Sequence, residues 1–290
     1  MAWALSTFES KGETLRYGVY TKPGAFEITK YLLFLPGRGE YIEKYNYLPE
    51  LLNLDKNTAL LIVDHRGQGF SSGERFHVLS YDEFCSDIKN LLDKLKIKEP
   101  YSLVAFSMGG LVSLYGTLKG FFSPKKMFLV CPLLGLAKTR VWYLNVFSLS
   151  GILTFLGFGK KRWRKYRVAD RFEDNLLTAN PLHYESLKKS PCPPEEASFA
   201  WIFATLRAIF YVTKIANLRK MKAHLLFCAV AQEQIVSNVA IYNFMKKMFF
   251  NSSQNTASFF LFQGKHELFF EKEIERERFL NLLNTWIEDA

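Results

Sequence analysis

A chain of 290 residues, 49% of them apolar, is long enough to bury a sizeable core and too apolar to be a disordered protein. Its net charge of +10 indicates an anionic partner, and nucleic acid and acidic lipid headgroups fit that sign equally well. The cysteines lie far apart and form no C-x-x-C pair, which predicts buried thiols and argues against a zinc site or a disulfide framework: Cys85, Cys131, Cys192 and Cys228. The first residues carry no basic region of the kind that begins a signal peptide, so a cytoplasmic location is expected.

The first third of the chain alternates strand-like and helix-like segments. Residues 15–20 and 26–35 predict two strands, with a turn at Pro23 and Gly24 between them. A helix-like segment at 42–52 and a fully apolar strand at 59–63 follow. Apolar residues at helical spacing then predict a helix over 84–95. This alternation predicts an α/β protein with a mostly parallel, doubly wound sheet.

The stretch Y-S-L-V-A-F-S-M-G-G-L-V, residues 101–112, combines a strand, a one-residue corner and the start of a helix. A serine at such a corner exposes its hydroxyl, and the next backbone N–H lies at the positive end of the helix, so Ser107 is the predicted nucleophile. The usual motif is Gly-x-Ser-x-Gly, and Ala105 stands at its first glycine. The alternative interpretation is a glycine-rich turn that leads into a core helix.

The second half contains a long interruption of the strand and helix alternation. Strands are predicted at 127–131 and 225–230, and a parallel crossover needs far fewer residues than lie between them. The intervening segment is rich in aromatic residues, basic at 160–167 and helical at 199–212. We therefore divide the chain into a core, residues 1–136 and 224–290, and a helical cap insertion, residues 137–223. After the insertion, a helix at 239–248, a strand at 258–262 and a helix at 271–287 complete the core.

A serine hydroxyl needs a base and a third group that orients the base. His266 is the predicted base because it alone follows a late strand and precedes the last helix, although His65 also follows a strand. Glu233 is the only carboxylate in the turn after the strand at 225–230, and it gives the chain order Ser, acid, His. Asp64 and Glu267 remain competitors for the role of the acid.

Several motifs from Phe34 onwards carry a family resemblance: P-G-R-G-E-Y-I-E-K-Y, D-H-R-G-Q-G-F-S, S-M-G-G, N-L-L-T-A-N-P-L-H-Y, Q-I-V-S-N and G-K-H-E-L. With them the chain resembles the bacterial lysophospholipase and monoacylglycerol lipase branch of the α/β-hydrolases, also labelled serine aminopeptidase-like. It departs from that branch at Pro36, where many relatives have His, and at Glu233, where Asp is usual.

The resemblance implies that backbone N–H groups of Arg38 and Met108 hold the oxyanion while Ser107 attacks an ester of a lysophospholipid or monoacylglycerol. The expected partner is a lipid ester, with no role in nucleic-acid binding and no metal or organic cofactor. Two alternatives remain: an esterase or aminopeptidase-like hydrolase of other small acyl substrates, and a non-catalytic interaction protein with the same fold.

Residues 141–158 contain no charge and border on the length of a transmembrane helix. Asn145, Ser148 and Gly151 weaken that interpretation, and flanking strands in one sheet oppose it. One expectation is a buried cap helix. The other is a cap whose apolar face covers the acyl chain above Ser107, with contact to the anionic inner face of a membrane through the basic cluster and a headgroup-level tryptophan: Lys160, Lys161, Arg162, Trp163, Arg164, Lys165 and Arg167.

Overall fold

An eight-stranded sheet forms the centre of the protein. The computed structural model describes residues 3–25, 27–98, 100–138, 140–162, 169–193, 195–251 and 257–288. In that part of the chain the strand order is β1-β2-β4-β3-β5-β6-β7-β8. The strands are β1 (Ala4–Ser10), β2 (Glu13–Thr21), β3 (Lys30–Leu35), β4 (Thr58–Val63), β5 (Ser102–Phe106), β6 (Lys126–Val130), β7 (His224–Val230) and β8 (Ala257–Phe262).

The sheet is antiparallel at one edge and parallel elsewhere. β1 pairs with β2 and β2 with β4 in antiparallel fashion, whereas the pairs from β4 through β3, β5, β6 and β7 to β8 are parallel. Every residue of β4, β5 and β6 is buried, as expected of central strands covered on both faces. The predicted fold class, a mostly parallel α/β sheet of the α/β-hydrolase type, is confirmed.

Helices connect the parallel strands. They are α1 (Leu48–Leu51), α2 (Tyr81–Lys94), α3 (Met108–Lys119), α4 (Arg140–Leu153), α5 (Pro181–Lys188), α6 (Phe199–Thr213), α7 (Ile215–Leu218), α8 (Asn238–Asn251) and α9 (Glu273–Glu288). Local sequence sets several of their ends. The Ser80 hydroxyl and the Glu83 carboxylate form a capping box at the start of α2, and the Ser198 hydroxyl accepts a hydrogen bond from Trp201 N at the start of α6.

The chain between β6 and β7 contains α4 to α7, and its predicted cap part, residues 137–223, is called the insertion below. Since β6 and β7 are neighbours in one sheet, the insertion leaves and re-enters the core at adjacent strands. Within it, Phe147 of α4 packs against Phe203 and Phe210 of α6, with ring centroids 4.9 and 5.3 Å apart. Tyr211 of α6 contacts Tyr115 of α3, with ring centroids 5.2 Å apart, so α6 joins α4 to the core.

The structure differs from the sequence predictions at three elements near the N-terminus. β1 was not predicted. The expected helix over 42–52 is a 3₁₀ turn, Ile42–Tyr45, followed by the single turn of α1, because Pro49 has no N–H to continue one helix through both. The expected strand over 26–35 is shorter: β3 begins at Lys30, and Phe26 lies outside the described residues.

Candidate active site

Ser107 occupies the sharp corner between β5 and α3. Its backbone has φ 50° and ψ −112°, a conformation that costs a non-glycine residue energy and is typical of functional sites. The Ser107 N–H donates to Val130 O at 2.9 Å, which ties the corner to the next strand. A Cβ at Gly109 would lie 2.1 Å from Leu35 O, so α3 approaches β3 too closely for any other residue. Gly109, the second glycine of the motif, is therefore required for steric reasons.

Three side chains from three loops form one hydrogen-bonded chain at this corner. The Ser107 Oγ lies 2.9 Å from His266 Nε2, and His266 Nδ1 lies 2.7 Å from a Glu233 carboxylate oxygen. Ser107 follows β5, Glu233 follows β7 and His266 follows β8, at the carboxyl ends of parallel strands. The structure therefore brings together the three residues that the sequence singled out as nucleophile, acid and base.

The Glu233 carboxylate is held by more than the histidine. Its side chain is fully buried, and its second oxygen accepts hydrogen bonds from the N–H groups of Ile235, at 2.9 Å, and Val236, at 3.2 Å. Burial alone would raise the pKa of Glu233. The contacts with His266 and with the two N–H groups outweigh burial and lower that pKa, so the carboxylate stays ionised.

The competing residues have structural partners instead. Asp64 accepts hydrogen bonds from the N–H groups of Ile42 and Phe70 and pairs with Arg16. His65 is buried against Phe84, its Nε2 lies 3.2 Å from Pro36 O, and burial lowers its pKa to about 4. These contacts fix the loop after β4, and neither Asp64 nor His65 belongs to the Ser107 chain.

The loop after β3 carries Arg38, the first predicted oxyanion donor. The amides on both sides of Arg38 are fixed by side chains: Gly37 N donates to Glu40 at 2.9 Å and Gly39 N donates to the Gln68 side-chain oxygen at 2.7 Å. The Gln68 side-chain nitrogen also lies 3.7 Å from the sulfur of Met108, the second predicted donor. Gln68 is buried and contacts both parts of the predicted oxyanion hole, a role that the sequence analysis missed.

A buried chain of charges lies beside the site. The Lys44 ammonium is 2.7 Å from Glu40 and 3.0 Å from Glu267, and the other Glu267 oxygen is hydrogen-bonded to His183 Nε2 of α5. The His183 ring stacks on Phe270, with centroids 4.1 Å apart. The chain links three segments: the loop that holds Arg38, the loop that holds His266, and the insertion.

Ion pairing sets the charge states of this chain. Burial would raise the pKa of Glu267, but the Lys44 charge and the hydrogen bond with His183 lower it to about 2. Burial would lower the pKa of Lys44, and its two carboxylate partners instead raise it. Glu267 is therefore a structural carboxylate. This buried group of charges could not be predicted from the sequence, because isolated charged residues usually lie on the surface.

A cavity of about 470 Å³ opens at Ser107 and His266. Its wall contains Arg38 and Met108 and a majority of apolar surface, contributed by both core and insertion: Phe106, Leu133, Leu136, Leu176, Leu177, Leu187, Trp201 and Ile235. No described residue between 141 and 158 lines it. The expectation that this stretch covers the acyl chain above Ser107 is therefore not met.

The sequence matches the profile of the serine aminopeptidase (S33) hydrolases over residues 27–273. The chain belongs to this family. No curated protein matches this chain at a significant level.

Solved structures similar to this S33 hydrolase include three lipases and esterases. A soluble variant of monoglyceride lipase from Saccharomyces cerevisiae has a TM-score of 0.78 and 16% identity, with 100% of this chain and 97% of that chain covered. Monoacylglycerol lipase from Paleococcus ferrophilus has a TM-score of 0.75 and 19% identity, with 95% and 98% covered. A carboxyl esterase from Bacillus coagulans has a TM-score of 0.80 and 12% identity, with 100% and 99% covered. At these identities the likeness shows the α/β-hydrolase fold.

All four cysteines of the hydrolase are buried, free thiols, as predicted. Cys131 lies beside the site, since its sulfur, a carboxylate oxygen of Glu233 and a ring nitrogen of His266 are all within 4.8 Å of one another. Burial, followed by the charge of Glu233, raises the pKa of the Cys131 thiol, so it stays protonated.

The basic cluster of the insertion is only partly described. Trp163, Arg164, Lys165 and Arg167 lie outside the described residues. Lys160 and Lys161 are exposed. Arg162 differs from the expectation of a membrane-facing residue, because its guanidinium donates to Arg75 O at 2.8 Å and to Glu196 O at 3.2 Å. It attaches the insertion to the core.

Proposed function

We propose that this S33 hydrolase cleaves the carboxylic ester of a single-chain lipid, a lysophospholipid or a monoacylglycerol, through an acyl-enzyme on Ser107. The observation that carries the proposal is the Ser107, His266 and Glu233 hydrogen-bond chain at the base of a largely apolar cavity. Such a chain supplies an activated nucleophile, and an apolar wall suits an acyl chain.

In the first half-reaction His266 Nε2 takes the hydroxyl proton as the Ser107 Oγ attacks the ester carbonyl carbon. Ionised Glu233 accepts the hydrogen bond from His266 Nδ1 and stabilises the imidazolium that forms. The N–H groups of Arg38 and Met108 hold the negative oxygen, and losing one donor of this kind typically costs about 2.7 to 4 kcal/mol. The imidazolium then protonates the leaving alcohol, and the acyl group remains on Ser107.

In the second half-reaction a water molecule replaces the alcohol. His266 removes its proton, the hydroxide adds to the acyl carbon, and the oxyanion occupies the same donors. Collapse of this intermediate returns the proton to Ser107 and releases a fatty acid. These steps use only the chain's own groups, and the proposal includes no metal or organic cofactor.

Two observations support a lipid ester over a peptide, one from the cavity and one from the similar structures. A peptidase that acts on a free amino terminus needs a carboxylate to bind the substrate amine. Three carboxylates line the cavity, and each has a basic partner: Lys44 lies between Glu40 and Glu267 and pairs with both, and Asp174 pairs with Arg171. Two of the similar structures are, by name, a monoglyceride lipase and a monoacylglycerol lipase. The family description, serine aminopeptidase, keeps an aminopeptidase-like activity as the second candidate.

A substrate panel tests the proposal. Wild-type protein is assayed on a lysophospholipid, a monoacylglycerol, a short-chain ester and an aminoacyl amide, with Ser107→Ala as the matched control. We expect ester turnover, highest on the single-chain lipids, and a loss of about 10⁴-fold or more in kcat for Ser107→Ala, by analogy with triad knockouts. Amide turnover that exceeds all ester turnover would favour the second candidate. Equal activity of both proteins on every ester would exclude Ser107 as the nucleophile.

A further inference from the structure

The helical stretch Val141–Phe158, which contains α4 from its second residue and the π-helical turn Thr154–Phe158, exposes most of its apolar side chains to solvent. The stretch is long and apolar enough to span a membrane by length and composition, a test that core helices of soluble proteins also pass. Only 11% of it is buried, however, and Phe155 is 91% exposed. The exposed apolar residues are Val141, Leu144, Leu149, Ile152, Phe155, Leu156 and Phe158, called the α4 surface below.

α4 is apolar on its inward face and on its exposed face, unlike a helix whose outer face is in water. Buried Val146 and Ser150 and partly buried Phe147 face inward, where Phe147 packs on α6. A Cβ at Gly151 would lie 2.9 Å from Phe203, so α4 and α6 are in close contact. The inward face packs on α6, and no described part of the chain covers the α4 surface. A contiguous exposed apolar surface of this kind marks an interaction site.

Charge selects a partner for the α4 surface. Residues 132–169 contain no Asp or Glu, whereas Lys and Arg occur on both sides of the apolar stretch. Among the described residues, exposed Lys138 precedes it and exposed Lys160 and Lys161 follow it. The Lys161 ammonium lies 4.7 Å from the centre of the Phe158 ring, so charged and apolar groups share one face. A second copy of the chain would bring like charges together, and an anionic lipid surface would neutralise them.

We propose that the α4 surface docks the protein on a bilayer that contains anionic lipid, with the helix lying in the interface rather than spanning the membrane. Spanning would require α4 to leave α6, whereas insertion by roughly 5 to 10 Å of the exposed face alone keeps that packing. The docking rests mainly on apolar burial, and the flanking lysines add attraction that weakens with salt.

The docked helix also contacts the wall of the active-site cavity. Tyr143 of α4 donates a hydrogen bond to Leu136 O at 3.1 Å, and Leu136 lines the cavity. A bilayer at the α4 surface would therefore lie next to a segment of the cavity wall. The docking itself does not depend on catalysis.

Vesicle sedimentation of the Ser107→Ala protein tests docking separately from hydrolysis. The test variant adds I152Q, F155Q and L156Q, and the matched control adds V239Q, F249Q and F250Q, three apolar residues exposed on α8. On vesicles of phosphatidylcholine and phosphatidylserine in a ratio of roughly 2:1, we expect the test variant to bind at least about tenfold more weakly and the control to bind as its parent does. With Ser107 restored, both should hydrolyse a soluble short-chain ester within about twofold of wild type, since neither set of residues lines the cavity.

Three results would overturn docking through α4: equal binding of the test variant and its parent, an equal loss in the control, or no binding of the parent to anionic vesicles. A dimer in size-exclusion chromatography that only the test variant dissociates, without vesicle binding, would assign the surface to a second copy. If the test variant fails to fold, Phe155→Cys labelled with bimane replaces it, because the native cysteines are buried. Its emission should shift to the blue on anionic vesicles, and an unchanged spectrum would overturn the proposal.

Discussion

Glu233 orients His266 in this protein, at a position where Asp is usual in the lipase branch that the sequence resembles. Its carboxylate reaches His266 with one oxygen and the N–H groups of Ile235 and Val236 with the other. The two N–H groups hold the carboxylate against the backbone of its own loop. The first oxygen thereby completes the hydrogen-bond chain from Glu233 through His266 to Ser107.

We predict that Glu233→Gln lowers kcat by about 10³- to 10⁴-fold while the protein stays folded, because a neutral amide cannot stabilise the imidazolium. Glu233→Asp should retain part of the activity. Steady-state kinetics on a soluble ester measure both, with circular dichroism as the folding control. Wild-type rates in Glu233→Gln, together with an inactive but folded Asp64→Asn, would transfer the role of the acid to Asp64.

Gln68 is predicted to position the oxyanion hole, since it contacts both Gly39 N and Met108. Gln68→Leu frees the loop beside Arg38 while keeping the volume similar, so kcat should fall about 10- to 100-fold with little change in KM. Gln232→Leu, at an exposed position, is the matched control and should behave as wild type. A purely structural role would instead lower the melting temperature and leave kcat per folded molecule unchanged.

A buried chain of charged side chains holds three segments together: Glu40, Lys44, Glu267 and His183. We predict that Lys44→Met destabilises the fold by about 3 to 5 kcal/mol at neutral pH, because it leaves buried carboxylates without their partner. Lys30→Met removes an exposed pair with Asp55 and should cost about 0 to 1 kcal/mol. Denaturant unfolding of both variants measures the difference.

The pH dependence of that difference has a defined sign. The pKa of Glu267 is lowered from 4.5 to about 2 on folding, so its contribution is full above pH 4.5 and disappears as pH falls towards about 2. Lys44 is the first of the groups that lower this pKa, so without it the pKa of Glu267 lies higher than in wild type. The variant should therefore gain stability relative to wild type as the pH is lowered through the acidic range. If the difference in the free energy of unfolding between wild type and Lys44→Met widened on acidification, the ion pair of Lys44 and Glu267 would not be its source.

The sequence predicted the elements whose signal is local. Ser107, Glu233 and His266 each follow a strongly apolar strand, so their place at one sheet edge follows from chain order. β1 was missed because five of its seven residues are exposed and give no apolar strand pattern. The stretch at 141–158 gave the expectation of a buried helix, which is wrong, because composition does not show how much of a helix its neighbours cover. Glu40, Lys44 and His183 could not be linked without the three-dimensional contacts.

For the whole molecule, the charge of +10 predicts a difference between lipid and soluble substrates. Raising the salt concentration shortens the Debye length from about 10 Å at 0.1 M to about 3 Å at 1 M, which weakens attraction to an anionic surface. We expect hydrolysis of a monoacylglycerol carried in anionic vesicles to fall with salt, whereas hydrolysis of a soluble short-chain ester stays constant. If salt changed the two rates equally, the positive charge of the protein would have no part in its access to lipid substrate.

The most direct test of the account asks whether Ser107 is an activated nucleophile. A fluorophosphonate probe is added to wild-type protein and to His266→Ala, and the labelled peptide is located by mass spectrometry. We predict a covalent adduct on Ser107 in the wild type and labelling slowed by at least about 10³-fold in His266→Ala, which lacks the base. An unlabelled Ser107, an adduct on another serine, or equal labelling of the two proteins would contradict it.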